Sequence, residues 1–184
     1  LATVPFGHRW MRRVLIGAPL LFTAVSALRI APHQLAYFNE FVGGPGEGYR
    51  YLSDSNLDWG QDLKGLKTYL EKENLPIIYL SYFGTAPPSY YGIRYQYVPG
   101  AWPLEWPPPT DRVPAGAPRK ILAIGASNLH DVGTSYDPLF HWLQTRRPIE
   151  KIGYSIFIYD LTDDREGLIK LQESYRKAGL RLLL

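Results

Sequence analysis

The sequence predicts an α/β fold: a small, mostly parallel sheet with helical cover, preceded by one membrane helix. Three observations carry this expectation. Strand-like apolar runs at residues 76–83, 119–125 and 153–161 are separated by helical patterns, the alternation that builds a sheet under helices. The run Ile121-Leu122-Ala123-Ile124 is apolar without a break, as in a parallel strand covered on both faces. Residues 14–28 carry no charged side chain, as a membrane span requires.

A chain of 184 residues fits one ordinary domain and an appendage. Its net charge is +3 and its basic residues form no long run, which argues against nucleic acid as a partner. There is no cysteine, so disulfides and thiolate metal sites are excluded. Aromatic residues make up 14%, with 14 Tyr and 5 Trp. That excess suits carbohydrate contact, a membrane interface or simply a Tyr-rich sheet.

Residues 1–31 read as a basic flank and a last membrane helix, with Arg9, Arg12 and Arg13 before the apolar run and Arg29 after it. As a helix, residues 14–28 span about 22 Å against a roughly 30 Å hydrocarbon core. Snorkelling by Arg29 makes up much of the difference. A signal peptide would close on a small-x-small cleavage site, and no clear one closes this run. A buried core helix would not readily hold Pro19, whereas membrane helices tolerate proline. The Arg cluster assigns the N-terminal end to the cytoplasm, and so everything from about His33 onward to the outside of the cytoplasmic membrane.

Residues 32–50 read as an interfacial helix and a Gly-rich connector. Pro32 suits a helix start, and Tyr37, Phe38 and Phe41 suit headgroup depth. Gly43, Gly44, Pro45, Gly46 and Gly48 then break the helix. No Lys-Ser/Thr follows these glycines, so they are not a phosphate loop, and a mobile connector is expected.

Residues 51–184 read as the extracytoplasmic α/β domain. Leu63, Leu66 and Leu70 recur at helical spacing, so a helix is expected over 59–72. Asp58 is its expected N-cap, with Gln61 completing a capping box. Strands follow at 76–83 and 93–98. A Pro-, Gly- and Trp-rich excursion at 99–118 is expected to hold little regular structure. Then come the strand at 119–125, a short helix at 136–145 and the strand at 153–161. A last helix, capped by Thr162 or Asp163, runs to about Ala178 and stops at Gly179. The chain starts at Leu1 rather than Met and ends Leu-Arg-Leu-Leu-Leu, which raises the expectation that it is a piece of a longer protein.

The densest polar stretch is 51–63, which holds the candidate ligand-binding residues Asp54, Asn56, Asp58, Trp59, Gln61 and Asp62. The spacing Asp54-x-Asn56-x-Asp58 has the alternating oxygens of a calcium loop. The EF-hand template then asks for Gly and Glu where this chain has Trp59 and Gly65. A divalent cation at Asp54–Asp58 is therefore considered but not favoured, and no cofactor or metal is assigned. The competing reading is structural: Asp54 and Asn56 bond the amides of their own turn while Asp58 caps the helix. Gly125-Ala126-Ser127-Asn128 ends a strand, a usual place for a ligand. It lacks the Gly-x-Ser-x-Gly elbow, so Ser127 is not read as a nucleophile. His33, His130 and His141 show no metal-ligand spacing.

Three blocks together carry a family resemblance: Pro32-His33-Gln34-Leu35-Ala36-Tyr37-Phe38-Asn39-Glu40, Gly43-Gly44, and Asp54-Ser55-Asn56-Leu57-Asp58-Trp59-Gly60-Gln61-Asp62-Leu63. Tyr82-Phe83-Gly84 and Ile152-Gly153-Tyr154-Ser155-Ile156 resemble the family's later blocks and support them. The chain resembles the C-terminal region of bacterial membrane glycosyltransferases of the GT-C type, the protein-mannosyltransferase and aminoarabinose-transferase-like proteins. The resemblance implies an extracytoplasmic portion of an enzyme that moves sugar from a polyprenyl-phosphate carrier to an acceptor. Its implied partners are the membrane, the remaining transmembrane part of the same enzyme, the lipid-linked sugar and the acceptor. It also implies that the catalytic acid lies in an early loop outside this chain, so no catalytic residue is assigned here. The alternative from another class is a stand-alone, membrane-tethered module that binds carbohydrate or another ligand. A third option is a soluble α/β domain with residues 14–31 in its core.

Overall fold

The computed structural model describes residues 6–53, 57–100, 110–132 and 138–179. Helix α1 runs over Phe6–Arg29 and continues through Pro19. Leu15, Ile16, Leu20, Leu21 and Leu28 are exposed along it. Over Arg9–Arg29 it is long and apolar enough to cross a membrane, and almost none of that apolar surface is covered by the rest of the chain.

The segment after α1 is folded back onto it and onto the domain. Residues 32–41 were expected to form one short helix. Instead there are two separate 3₁₀ turns, Gln34–Ala36 and Glu40–Val42. The cause lies between them: Tyr37 and Asn39 are extended, and the Asn39 side chain accepts a hydrogen bond from Phe41 N at 3.1 Å. That local bond competes with helix continuation. Ser26 donates to Glu40 at 2.5 Å, and Phe41 packs on Phe22 with ring centroids 6.4 Å apart. Ile30 and Ala36 are buried in the domain core. The glycine connector is anchored too. Lys151 Nζ donates to Gly46 O at 2.9 Å, and Gly48 is buried against the Phe38 ring, which a methyl group there would meet at 2.2 Å. A third 3₁₀ turn, Gly48–Arg50, follows.

The domain proper consists of α2 (Leu63–Lys72), β1 (Ile78–Ser81), β2 (Tyr95–Tyr97), β3 (Ile121–Gly125), α3 (Ala126–Leu129), β4 (Glu150–Ile152), β5 (Ile156–Asp160) and α4 (Arg165–Lys177). The strands form one sheet in the order β2-β1-β3-β5-β4. The sheet is mixed, which corrects the expectation of a mostly parallel one. β1 pairs in parallel with β2 and β3, whereas β5 runs antiparallel to both β3 and β4. The unbroken apolar run of β3 reports a central strand covered on both faces, and such a run looks the same whichever way the neighbour points. The reversal comes from a tight hairpin at Gly153 and Tyr154, both at positive φ. β4 escaped the sequence reading because it is a short edge strand with an exposed or half-buried face.

The two-residue period of the strands sorts the core into two layers. Ile78, Leu80, Ile121, Ala123, Ile156 and Ile158 face Leu63, Leu66 and Leu70 of α2. Each buried leucine there contributes about 2 kcal/mol. Tyr79, Leu122, Ile124, Phe157 and Tyr159 face Leu171 and Tyr175 of α4, together with Phe140, Leu143, Ile30 and Ala36. The expected helix at 136–145 is seen only as a 3₁₀ turn, His141–Leu143, and its first two positions fall outside the described residues. The excursion returns onto the edge strand: Val113 N donates to Gln96 at 2.8 Å and Arg94 pairs with Asp111 at 2.9 Å. Its middle, 101–109, lies outside the described residues.

Candidate functional site

Leu57 is fully buried and pins the start of the Asp-Trp-Gly-Gln-Asp turn. Asp58 Oδ1 accepts from Gly60 N at 3.2 Å. Gln61 closes the turn from the other side: its Oε1 accepts from Trp59 N at 2.9 Å and its Nε2 donates to Leu57 O at 2.9 Å. Gly60 sits at φ 78°, a conformation that glycine adopts without penalty. Tyr82 lies directly on it: a methyl group at Gly60 would come within 1.4 Å of the Tyr82 hydroxyl.

The expected capping box is therefore absent. α2 starts at Leu63, not near Trp59, because the left-handed Gly60 interrupts any earlier helical path. Asp62 stands in the N-cap position but makes no capping bond. Its carboxylate is engaged elsewhere. Ser155 Oγ donates to Oδ2 at 2.7 Å and His33 Nδ1 lies 3.1 Å from Oδ1. Gly153 makes room for it, since a methyl group there would sit 1.9 Å from Oδ1. Burial pushes the Asp62 carboxyl up, against the pull of the Ser155 hydroxyl and of His33.

Asp58 is fully buried. Its Oδ2 has no hydrogen-bond partner among the described residues and lies 2.6 Å from where a Cβ on Gly125 would be. The same position on Gly125 is 3.4 Å from Phe83 N. The carboxyl thus fills the crevice at the carboxyl ends of the parallel neighbours β1 and β3, where open α/β sheets commonly hold a ligand. Burial pushes its pKa up to about 7. The Gly60 amide opposes that rise, the Asp62 charge adds to it and the Ser127 amide opposes it. The Gly125–Asn128 strand end, expected as a ligand place, is accordingly taken up by the protein's own side chains. Ser127 and Asn128 are buried. Asn128 donates to Ser81 at 3.0 Å, and Ser81 donates to Pro99 O at 3.0 Å.

Of the six residues singled out in the sequence, Asp58 and Asp62 point inward, whereas Trp59 is half exposed and Gln61 exposed. Asp54 and Asn56 lie outside the described residues. The outer surface of the turn is thus Trp59, held by a Gln61 whose carboxamide is spent on the turn itself. Among the described residues no three His, Cys, Asp or Glu side chains gather as metal ligands. The sequence reading missed His33, Ser155 and Tyr82 as neighbours of this turn. All three stood in blocks of the resemblance, which was a signal. His33 was judged by metal spacing, and its partner lies 29 positions away.

An open groove of about 570 Å³ lies at the far end of α2, lined by Lys67, Glu71, Asn74 and Arg94 among others. It includes none of the turn residues. Compared with known protein families, curated proteins and solved structures, the chain gives no significant match.

Proposed function

We propose that this chain is the C-terminal, extracytoplasmic portion of a GT-C type membrane glycosyltransferase that draws sugar from a polyprenyl-phosphate carrier. It positions substrate or partner and does not transfer sugar alone. One observation carries the reading. The Asp-Trp-Gly-Gln-Asp turn, the most specific block of the resemblance, presents Trp59 outward and is tied through Asp62 and His33 to the end of an apolar, membrane-length helix. In this reading α1 is the last span, with Arg9, Arg12 and Arg13 on the cytoplasmic side. Trp59 contacts the sugar or the transmembrane part of the same enzyme, since an indole face suits both. Asp58, Gln61 and Asp62 hold the turn in shape.

The test is transfer from a lipid-linked donor by the natural full-length protein. Trp59→Ala is expected to lower transfer about tenfold, near the size of one lost aromatic contact, with the fold intact. Wild-type transfer by a folded Trp59→Ala protein overturns the role of the turn. Sugar transfer by residues 30–184 alone overturns the non-catalytic assignment. A start codon just upstream of Leu1 in the native reading frame overturns the larger enzyme.

A further inference from the structure

Three aromatic residues after α1 were expected at headgroup depth, and the structure separates them. Tyr37 packs against the domain core, and the Phe38 ring covers Gly48. Phe41 turns away from the domain. It is 91% exposed, more than any other large hydrophobic side chain among the described residues, and the ring it packs on is Phe22 of α1.

The loop that carries Phe41 is closed on itself. Asn39 O accepts from Val42 N at 3.2 Å and from Gly44 N at 3.1 Å, and Glu40 O accepts from Gly43 N at 3.1 Å. With the bond from Phe41 N to the Asn39 side chain, the amides of residues 41–44 are all spent inside the loop. Gly43 and Gly44, at φ 92° and 70°, turn the chain back toward the domain. Phe41 thus stands at the tip of a loop whose amides need no water, as the edge of a low-dielectric medium requires.

Contacts along α1 set the depth of that tip. From Arg13 to Arg29 the helix is about 24 Å long, against a roughly 30 Å hydrocarbon core. A span therefore uses α1 up to Arg29, and none of its last turns stands clear of the membrane. The chain leaves α1 at Arg29 and comes back alongside it. Ser26, which donates to Glu40, is about 4.5 Å inward of Arg29, and Phe22, which meets the Phe41 ring, is about 10 Å inward. Glu40 is then at the membrane boundary, its carboxylate held by the Ser26 hydroxyl and within reach of the Arg29 charge. The Phe41 ring lies deeper.

We infer that the loop 39–44 is a second membrane attachment: Phe41 enters the acyl chains beside α1, in the leaflet on the domain side, toward the depth of Phe22. The partner is lipid hydrocarbon, which takes up an apolar ring without a groove or a pairing group. Span and ring together keep one face of the domain, and with it the Trp59 turn, toward the bilayer. The inference rests on α1 being a span, as in the proposed function, and not on the glycosyltransferase reading.

The chain has no cysteine, so a nitroxide can be placed at single positions of the full chain in phosphatidylcholine nanodiscs. The positions are Phe41→Cys, Leu21→Cys in the middle of α1, and Tyr90→Cys on the domain, where Tyr90 is 81% exposed. Collisions with oxygen, which concentrates in hydrocarbon, are compared with collisions with a water-soluble nickel chelate. The label at 41 is expected to resemble the one at 21, with nickel collisions at least about tenfold below those at 90, the least that burial of a Phe side chain provides. Nickel collisions at 41 equal to those at 90, with 21 in lipid, overturn the inference and leave the span standing. Labels at 21 and 41 both in water overturn the span and the inference with it. A label at 41 shielded from oxygen and nickel alike marks a protein partner and overturns the lipid assignment. Because Phe41→Cys removes the contact with Phe22, the unmodified chain is also read, by hydroxyl-radical oxidation in the same nanodiscs. Normalised to the unfolded chain, Phe41 is expected to be oxidised at least about tenfold less than Tyr90, by the same partition. Equal oxidation of the two overturns the inference.

Discussion

At Asp58 a carboxyl group is closed off from water between the ends of two strands, and its pKa is pushed from 3.8 to about 7. Between those values the folded chain holds a proton that the unfolded chain has released. Stability from this group is therefore complete below about pH 4 and falls as pH rises toward 7. Three pH units of mismatch correspond to about 4 kcal/mol. Denaturant titrations at pH 5 and pH 8 should show wild type losing stability relative to Asp58→Asn, whose carboxamide does not titrate. A parallel loss in both proteins would contradict the buried acid. Gly60 sets the other constraint on the turn. Gly60→Ala adds a left-handed penalty of about 1–2 kcal/mol and a collision with the Tyr82 ring. A total loss of at least about 3 kcal/mol is expected in urea unfolding.

The elements show which local signals survive in the folded chain. α2 was legible from Leu63, Leu66 and Leu70, because helical spacing is local and all three are buried on one layer. Its start was not legible, because Gly60 and the partners of Asp62 decide it. α4 runs over Arg165–Lys177 and ends before Gly179 at φ 71°, close to the expected stop. Its cap is Asp164, one residue after the nearer of the two expected ones, and accepts from Gly167 N at 2.8 Å. Asp164 also pairs with Arg146. Asp164→Ala is expected to cost about 1–2 kcal/mol in thermal or urea unfolding, and Asp164→Asn less, because Asn still caps. Equal losses would assign the effect to the ion pair instead.

For the molecule as a whole, α1 and the domain are joined by more than a covalent link. Ser26–Glu40, Phe22–Phe41, His33–Asp62 and Lys151–Gly46 tie residues 26–50 to both sides. A membrane position for α1 therefore holds the domain and its Trp59 turn close to the bilayer. The full chain is expected to remain with membranes through alkaline carbonate extraction. Leu21→Arg, near the middle of the span, is expected to release a large part of it, since a central Arg disfavours insertion by about 3 kcal/mol. Full release of the wild-type chain would refute the span.

The sequence by itself determined the membrane-length helix, the α/β class, the central strands β1, β3 and β5, and the leucine face of α2. Each of these is written in side chains close together along the chain, as a run or a period. The tertiary structure decided the direction of β5, the inward turn of Asp58 and Asp62, and the pairing of Asp62 with His33 and with Ser155. These depend on residues 29 and 93 positions apart, and on strand ends that meet only once the sheet has formed. A carboxylate in a polar loop reads as a ligand for something outside. Whether it faces solvent or the protein's own amides and hydroxyls depends on how the rest of the chain closes around it.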